Sequence, residues 1–250
     1  MSEYRWNLDD FAVGYDAAAE HIHPHYLEVQ DTILELLSLP ENSTALIVDA
    51  GGGSGRLMER VLQRWPQATG VVVDQSGPFL ALAERRLKAF GPRASCLQAR
   101  LQDDWLQQLP GQPTAIVSMS AIHHLTPSEK HELHARIAQS LQPGGVFLNG
   151  DEVRPASDEE YLALLHRWST HMQTGLAQGR IEPIFQAAYD KWADRNIGRF
   201  GQPKQSGDDC LQTIDELLAD FRQVGFQQAD APWQRELWAV LRGVKSPSES

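Results

Sequence analysis

Short apolar runs alternate with stretches of helical periodicity between residues 44 and 152. Runs at 45–50, 69–74, 94–98, 115–120 and 146–151 are short and mostly apolar. Such runs predict strands buried on both faces, as in a parallel sheet covered by helices. Between them the spacing of apolar positions predicts helices over 55–64, 78–90 and 128–141, with a weaker one over 103–108. This alternation marks an α/β fold with a doubly wound, mostly parallel, Rossmann-like sheet.

The flanks read differently. Residues 8–37 form a helical pattern broken near Pro24. After the fifth strand, 158–176 and 183–197 predict two helices with no strand between them. The stretch 198–207 is rich in Gly, Pro and polar residues and predicts a linker. Residues 210–224 predict an amphipathic helix stopped by Gly225, and 226–232 and 235–244 predict a closing antiparallel hairpin. The expected organisation is a helical cover (1–43), an α/β core (44–152), a helical lid inserted after the fifth strand (153–207), the last helix and hairpin of the same core (208–245), and a tail (246–250).

Composition narrows the function. The chain has 250 residues, 42% of them hydrophobic, with 22 Lys and Arg against 33 Asp and Glu, a formal charge of −11. Such a balance disfavours nucleic acid and anionic membrane surfaces as partners, because both need clustered cations. Two cysteines, Cys96 and Cys210, exclude a disulfide framework. The first ten residues are acidic and lack an apolar segment, and no run is long enough to span a bilayer, so a cytoplasmic protein is expected.

The sharpest motif is Val48-Asp49-Ala50-Gly51-Gly52-Gly53-Ser54-Gly55-Arg56. It follows an apolar strand and opens a helix. Glycines let the backbone pass close under a ligand, and a helix start offers N–H groups to an anionic ligand group. Asp74 closes the next strand 23 residues after Gly51, where a carboxylate can accept from ribose hydroxyls. A dinucleotide site wants GxGxxG, whereas these glycines fall as GxGxG with an acid two residues before the first.

That arrangement resembles motif I of the class I S-adenosylmethionine-dependent methyltransferases, in particular their small-molecule subgroup. Three further segments carry the resemblance. Ser118 to Leu125, ending Ile122-His123-His124-Leu125, is similar to the run after the fourth strand. Leu141-Gln142-Pro143-Gly144-Gly145 is similar to the turn into the fifth, and Tyr15-Asp16 to the N-terminal helix that covers the cofactor. The ending, from Leu217 through Phe221 and Gly225-Phe226 to Lys245, is similar to the final helix and hairpin. The resemblance covers most of the chain outside 153–207 and extends to carboxy-S-adenosylmethionine synthase. It implies S-adenosyl-L-methionine as cofactor, held by Tyr15, Asp49, Gly51, Gly53, Gly55, Asp74, Gln75, Arg100, Leu101, Ser118, Met119 and His123. One position departs from the pattern: Arg100 stands where the family usually has an Asp for the adenine amino group, which leaves that contact to the Leu101 backbone or to Asp103.

A sulfonium methyl is already activated, so catalysis is alignment of a nucleophile, with a base needed only where the acceptor loses a proton. His123, His124 and Asp151, at the carboxyl edge of the sheet, are the candidate catalytic groups, with Glu152 beside them. The lid residues Trp168, His171, Met172, Tyr189, Trp192, Arg195 and Arg199 are the candidate acceptor pocket, although their helical spacing is also that of plain packing. His21-x-His23-x-His25 and His131-x-x-His134 lack acidic or thiolate partners at ligand spacing, so no metal centre is expected; an exposed polar face is their alternative. The expected activity is in-line methyl transfer to a small-molecule acceptor. The alternatives are an enzyme that modifies the cofactor itself, as carboxy-S-adenosylmethionine synthase does, and a non-catalytic cofactor-binding protein. The oligomeric state is open, a homodimer being one possibility.

Overall fold

The computed structural model describes residues 9–247. The expected helix start at residue 8 and the last three residues of the tail lie outside them. Seven strands form one sheet: β1 (Leu46–Ala50), β2 (Thr69–Asp74), β3 (Ala94–Gln98), β4 (Ala115–Met119), β5 (Val146–Glu152), β6 (Gln228–Arg235) and β7 (Trp238–Val244). Their order across the sheet is β3-β2-β1-β4-β5-β7-β6. The first five run parallel, and β7 is antiparallel to both β5 and β6.

Uniformly apolar strands are buried on both faces because each face meets its own helical layer. Ile47, Val72, Val117 and Leu148 pack on one side. Their neighbours Val48, Val71, Ile116 and Phe147 pack on the other. The helices are α1 (Asp9–Ile22), α2 (Tyr26–Leu37), α3 (Arg56–Arg64), α4 (Gly77–Leu87), α5 (Pro127–Ser140), α6 (Asp158–Ala177), α7 (Gln186–Ala193) and α8 (Ile214–Gln223). The helix α2 lies directly on β5: a Cβ at Gly150 would fall 2.4 Å from Val29 Cγ1.

Local chemistry sets several boundaries that periodicity blurs. The last helix begins at Ile214 rather than 210, because Thr213 and Glu216 form a capping box. The residues before it are pinned in extended form, with Cys210 N–H donating to His123 O (2.8 Å) and Arg154 N–H to Gln212 O (3.0 Å). The closing hairpin turns at Glu236, which takes φ 53°, so the first strand runs over 228–235 rather than 226–232 and the second starts at 238 rather than 235, ending at 244 as expected. The second lid helix is interrupted: a 3-10 turn over Pro183–Phe185 leads into α7, which ends in a π turn over Asp194–Gly198.

The lid helices pack against the N-terminal helices rather than over the strand ends. Tyr161, Leu165, Trp168 and Met172 form the buried stripe of α6. Trp168 Nε1 donates to Ile22 O at the end of α1 (2.8 Å), and its ring meets Trp192 at 5.0 Å and Trp238 at 6.2 Å. No helix among the described residues is long and apolar enough to cross a membrane.

Candidate active site

In open α/β sheets, ligands bind beyond the carboxyl ends of the strands where the strand order reverses, here between β1 and β4. A cavity of about 400 Å³ opens there. The glycine loop forms its floor. Gly51 takes φ +74°, and a Cβ at that residue would meet Ala121 Cβ at 2.4 Å, so the loop closes on the β4 turn only with glycine there. Gly53 takes φ +52° and faces open space apart from Phe79.

Two carboxylates border this loop. Asp74 is locked: its Oδ2 accepts from Gly53 N–H (3.0 Å) and its Oδ1 from Ser76 N–H (2.8 Å). Burial raises its pKa against these backbone bonds. Asp49 is different. It is 1% exposed, and neither of its oxygens has a hydrogen-bond partner. Burial, with Asp74 nearby, pushes it up to about 7. An unpartnered buried carboxylate on a cavity wall is a socket for a cationic group.

These features fit the expected cofactor group by group. Asp49 matches its ammonium, and the lone pairs of Asp74 not used by the loop match its ribose hydroxyls. Phe79 and Leu101, both on the cavity wall, offer apolar faces to a flat base.

The cavity brings together Tyr15, Asp49, Gly51, Gly53, Asp74, Gln75, Arg100, Leu101, Met119 and His124 among the residues expected from the sequence. Gly55, Ser118, His123 and Asp151 lie outside its lining. Gly55 begins α3 and faces Ala83 and Leu87 of the α4 segment. Ser118 is fully buried, donating to Ala50 O (2.7 Å) across the β1–β4 pair. His123 sits behind the wall that His124 lines. Asp103 turns away, its carboxylate accepting from Arg100 N–H (3.0 Å).

None of the seven lid candidates lines the cavity. Trp168 and Met172 are buried in the α6 packing stripe, and Trp192 stacks beside Tyr189. The Tyr189 hydroxyl bonds Ser169 Oγ (2.7 Å). His171 is half-buried beside the His21 backbone, and burial lowers its pKa. Arg195 lies 3.7 Å from Asp209, and Arg199 is exposed beside Asp194 (2.8 Å). The physical reason is that the apolar stripe of α6 finds its partner in α1 and Trp238, so the two-helix lid spends its aromatic surface on packing.

Sequence reasoning missed the other wall. Tyr26 and Gln30 of α2, Arg56, Gln102, Ser206 and Gly207 also line the cavity. Only the Tyr15-Asp16 pair pointed toward that region. Asp16 bridges α1 to the glycine-loop helix and α4, accepting from Arg56 Nε (2.9 Å) and an Arg86 guanidinium nitrogen (2.8 Å). Burial raises its pKa, but Arg86, Ser54 and Arg56 together hold it below the ordinary value.

Beside the cavity lies a buried ionisable cluster. His123 Nδ1 bonds Asp151 Oδ1 (2.6 Å), and Asp151 Oδ2 accepts the His123 backbone N–H (2.9 Å). Glu152 Oε2 lies 3.6 Å from His123 Nε2, and Ser120 Oγ donates to Glu152 Oε1 (3.3 Å). Ser120 holds φ 53° at the end of β4, a strained backbone for a non-glycine residue on the cavity wall. Burial disfavours the imidazolium of His123, but Glu152, Asp151 and Asp209 outweigh it and push the group up to about 9. Burial raises Glu152, and despite burial Asp151 is held low by His123. His23, fully enclosed, is pushed down to about 3 by burial and by the two histidines; its Nε2 pairs with the Tyr15 hydroxyl.

The other histidine pair is not an exposed polar face. His134 is fully buried, with Nδ1 2.5 Å from Asp220 Oδ2, and His131 Nδ1 lies 2.5 Å from Asp220 Oδ1.

Comparison with known proteins gives a family match over residues 47–145, to the family described as a methyltransferase domain. An uncharacterized methyltransferase of Geobacillus kaustophilus is 31% identical over 149 residues, 58% of this chain and 64% of that protein. A trans-aconitate 2-methyltransferase of Deinococcus radiodurans is 28% identical over 165 residues, 62% of this chain and 59% of that protein. The chain thus spans less than two thirds of the length of these relatives. Among solved structures, the O-methyltransferase family 2 protein of Planctomyces limnophilus, in complex with apigenin, superposes with a TM-score of 0.61. It is 15% identical and covers 98% of this chain and 62% of that one.

Proposed function

We infer, for a chain that belongs to the class I S-adenosylmethionine-dependent methyltransferase superfamily, that it transfers a methyl group to a small-molecule acceptor. The observation that carries this reading is a single cavity that contains both a cofactor cradle and a polar wall. The cradle is the glycine loop with Asp49 and Asp74; the wall is Ser120, Ala121 and His124.

The bound cofactor supplies an electrophilic sulfonium methyl group. The chain supplies placement. Asp49 fixes the ammonium end and Asp74 the ribose, so the methyl carbon has a defined position before any acceptor arrives. Tyr26 and Gln30 of α2 remain on the cavity wall to orient the acceptor. Where the acceptor nucleophile carries a proton, it leaves at the His124 side. There Asp209 faces His124 and Asp151 fixes His123. The Deinococcus relative named for trans-aconitate supports small carboxylate-bearing acceptors as the first class to try. Arg100 on the cavity wall is a cation suited to such an acid. Modification of the cofactor itself would need cations for an anionic reactant; of the three candidates only Arg100 lines the cavity, whereas Arg195 pairs with Asp209 and Arg199 with Asp194.

The test is calorimetric titration of protein freed of co-purified ligand with S-adenosylmethionine, S-adenosylhomocysteine and NAD in parallel. Micromolar binding of the two sulfur compounds and none of NAD is expected, followed by acceptor-dependent release of S-adenosylhomocysteine. Binding of NAD alone would overturn the reading. Tight cofactor binding with no turnover on any acid, phenol or amine would favour a binding protein.

A further inference from the structure

We propose that His123, His124 and Asp209, with Glu152 beside His123, form a three-donor binding site for one divalent first-row transition-metal ion in the wall of the cavity. The site is assembled by the backbone. The segment before α8 is stapled across the histidine turn by two hydrogen bonds, Gly207 N–H to His124 O and Cys210 N–H to His123 O, each 2.8 Å. Asp209 is held between them. Sequence spacing gives no sign of this, because the carboxylate comes from far along the chain.

The spacing of the donor atoms is that of ligands. One atom from each of His123, His124 and Asp209 lies within 4.8 Å of the others. Asp209 Oδ1 is 3.3 Å from His124 Nδ1 and 3.9 Å from His123 Nε2, and Glu152 Oε2 is 3.6 Å from His123 Nε2. Donors about 2.0–2.2 Å from a tetrahedral ion stand about 3.3–3.6 Å from one another. His124 and Asp209 hydrogen-bond each other across 3.3 Å, so an ion bound here would take the place of that bond; the His131–His134–Asp220 cluster closes more tightly, to 2.5 Å.

The surrounding shell is also that of a metal site. Asp151 holds His123 Nδ1 at 2.6 Å, which directs Nε2 toward Asp209 and Glu152; a carboxylate behind a ligating imidazole is the usual second shell. Asp209 Oδ2 accepts from Asn196 Nδ2, which leaves Oδ1 toward the histidines. His123, Asp209 and Glu152 are all less than 7% exposed, while His124 lines the cavity. An ion here would keep one position toward the cavity. Two imidazoles with carboxylates suit Zn²⁺, Co²⁺, Fe²⁺ or Mn²⁺ better than Mg²⁺ or Ca²⁺, which prefer all-oxygen shells. The ligand class follows: an acceptor that presents a hydroxyl or carboxylate oxygen to the ion. That last step rests on the methyltransferase reading; the site itself does not.

The experiment is therefore run without cofactor. Protein stripped with a chelator is titrated with Co²⁺ and its visible absorption recorded, then challenged with Zn²⁺. One equivalent of Co²⁺ giving the intense bands of a tetrahedral N/O site, lost on adding Zn²⁺, is expected. His124→Ala and Asp209→Asn should lose the bands. Asp151→Asn, whose carboxylate holds His123 and accepts the Glu152 backbone N–H, should keep them with about 10- to 100-fold weaker binding. Asp220→Asn should bind as the unmodified protein does. Absence of bands at millimolar Co²⁺ in unmodified protein that still binds S-adenosylhomocysteine overturns the metal site and leaves the methyltransferase reading standing. Bands unchanged in folded Asp209→Asn overturn the site as well. Bands present without binding of S-adenosylhomocysteine sustain the site and remove the methyltransferase reading.

Discussion

Replacing Asp49 by Asn should make the cofactor-free protein more stable and the cofactor complex weaker. The carboxylate is buried with both oxygens unpartnered, and its pKa rises from 3.8 in an exposed chain to about 7 when folded. Between those values the unfolded chain loses its proton first, so the unfolded state binds fewer protons and stability falls as pH rises. The penalty is absent below pH 3.8 and complete above pH 7. A gap of about three pH units corresponds to roughly 4 kcal/mol at pH 8 and to less than half of that at pH 5. The Asn amide is itself a buried polar group, so the gain from the substitution is smaller than these figures. Urea unfolding of both proteins at pH 5 and pH 8, without cofactor, measures it. The variant should be the more stable at pH 8, with the advantage shrinking at pH 5. Loss of the charged partner of the ligand ammonium should weaken S-adenosylhomocysteine by about 1.5–3 kcal/mol, or 10- to 150-fold, in calorimetry. A variant less stable than the unmodified protein at pH 8, or a difference independent of pH, would show that Asp49 is not an unpaired buried charge.

Asp74→Ala removes the acceptor of two loop N–H groups and the ribose contact, and should weaken cofactor binding by about 1.5–3 kcal/mol; an unchanged dissociation constant would move the ribose elsewhere. Asp220→Ala strands the buried Nδ1 of His134 and should lower stability by about 1–3 kcal/mol in thermal unfolding. Burial raises Asp220, but His134 and His131 hold it below the ordinary value. The stability it contributes is therefore present above pH 3.8 and lost as pH falls through its folded pKa, a loss the Ala variant should not show. Gly150→Ala drives a methyl group into Val29 and Ile33 and should cost about 1–3 kcal/mol, with α2 displaced from β5; retention of full stability would mean that this contact gives way freely.

Much of the core was legible because its signals are local. An apolar run without alternation needs cover on both faces, and β2 occupies the residues expected and is covered so; β3 also occupies the residues expected, but at the sheet edge none of its residues is buried. The glycine loop could be read because positive φ and close approach admit few other residues. Gly51 against Ala121 shows the constraint acting. Helix starts were less legible where a cap competed with periodicity: the amphipathic pattern reaches back to 210, but Thr213 and Glu216 decide the start.

The sequence by itself determined that an α/β core carries a glycine loop followed by an acidic strand end, which points to a nucleoside-bearing cofactor. Only the tertiary structure decided which side chains share a space. An aromatic stripe at helical spacing looks the same whether it lines a pocket or fills a core, and α6 buries its stripe against α1 and Trp238. A histidine pair looks the same whichever carboxylate it meets. Asp220 closes on His131 and His134, and Asp209 pairs with His124 at 3.3 Å beside His123. Both carboxylates come from segments distant in the chain, so their placement depends on the packing of α8 and on backbone hydrogen bonds that no local pattern encodes.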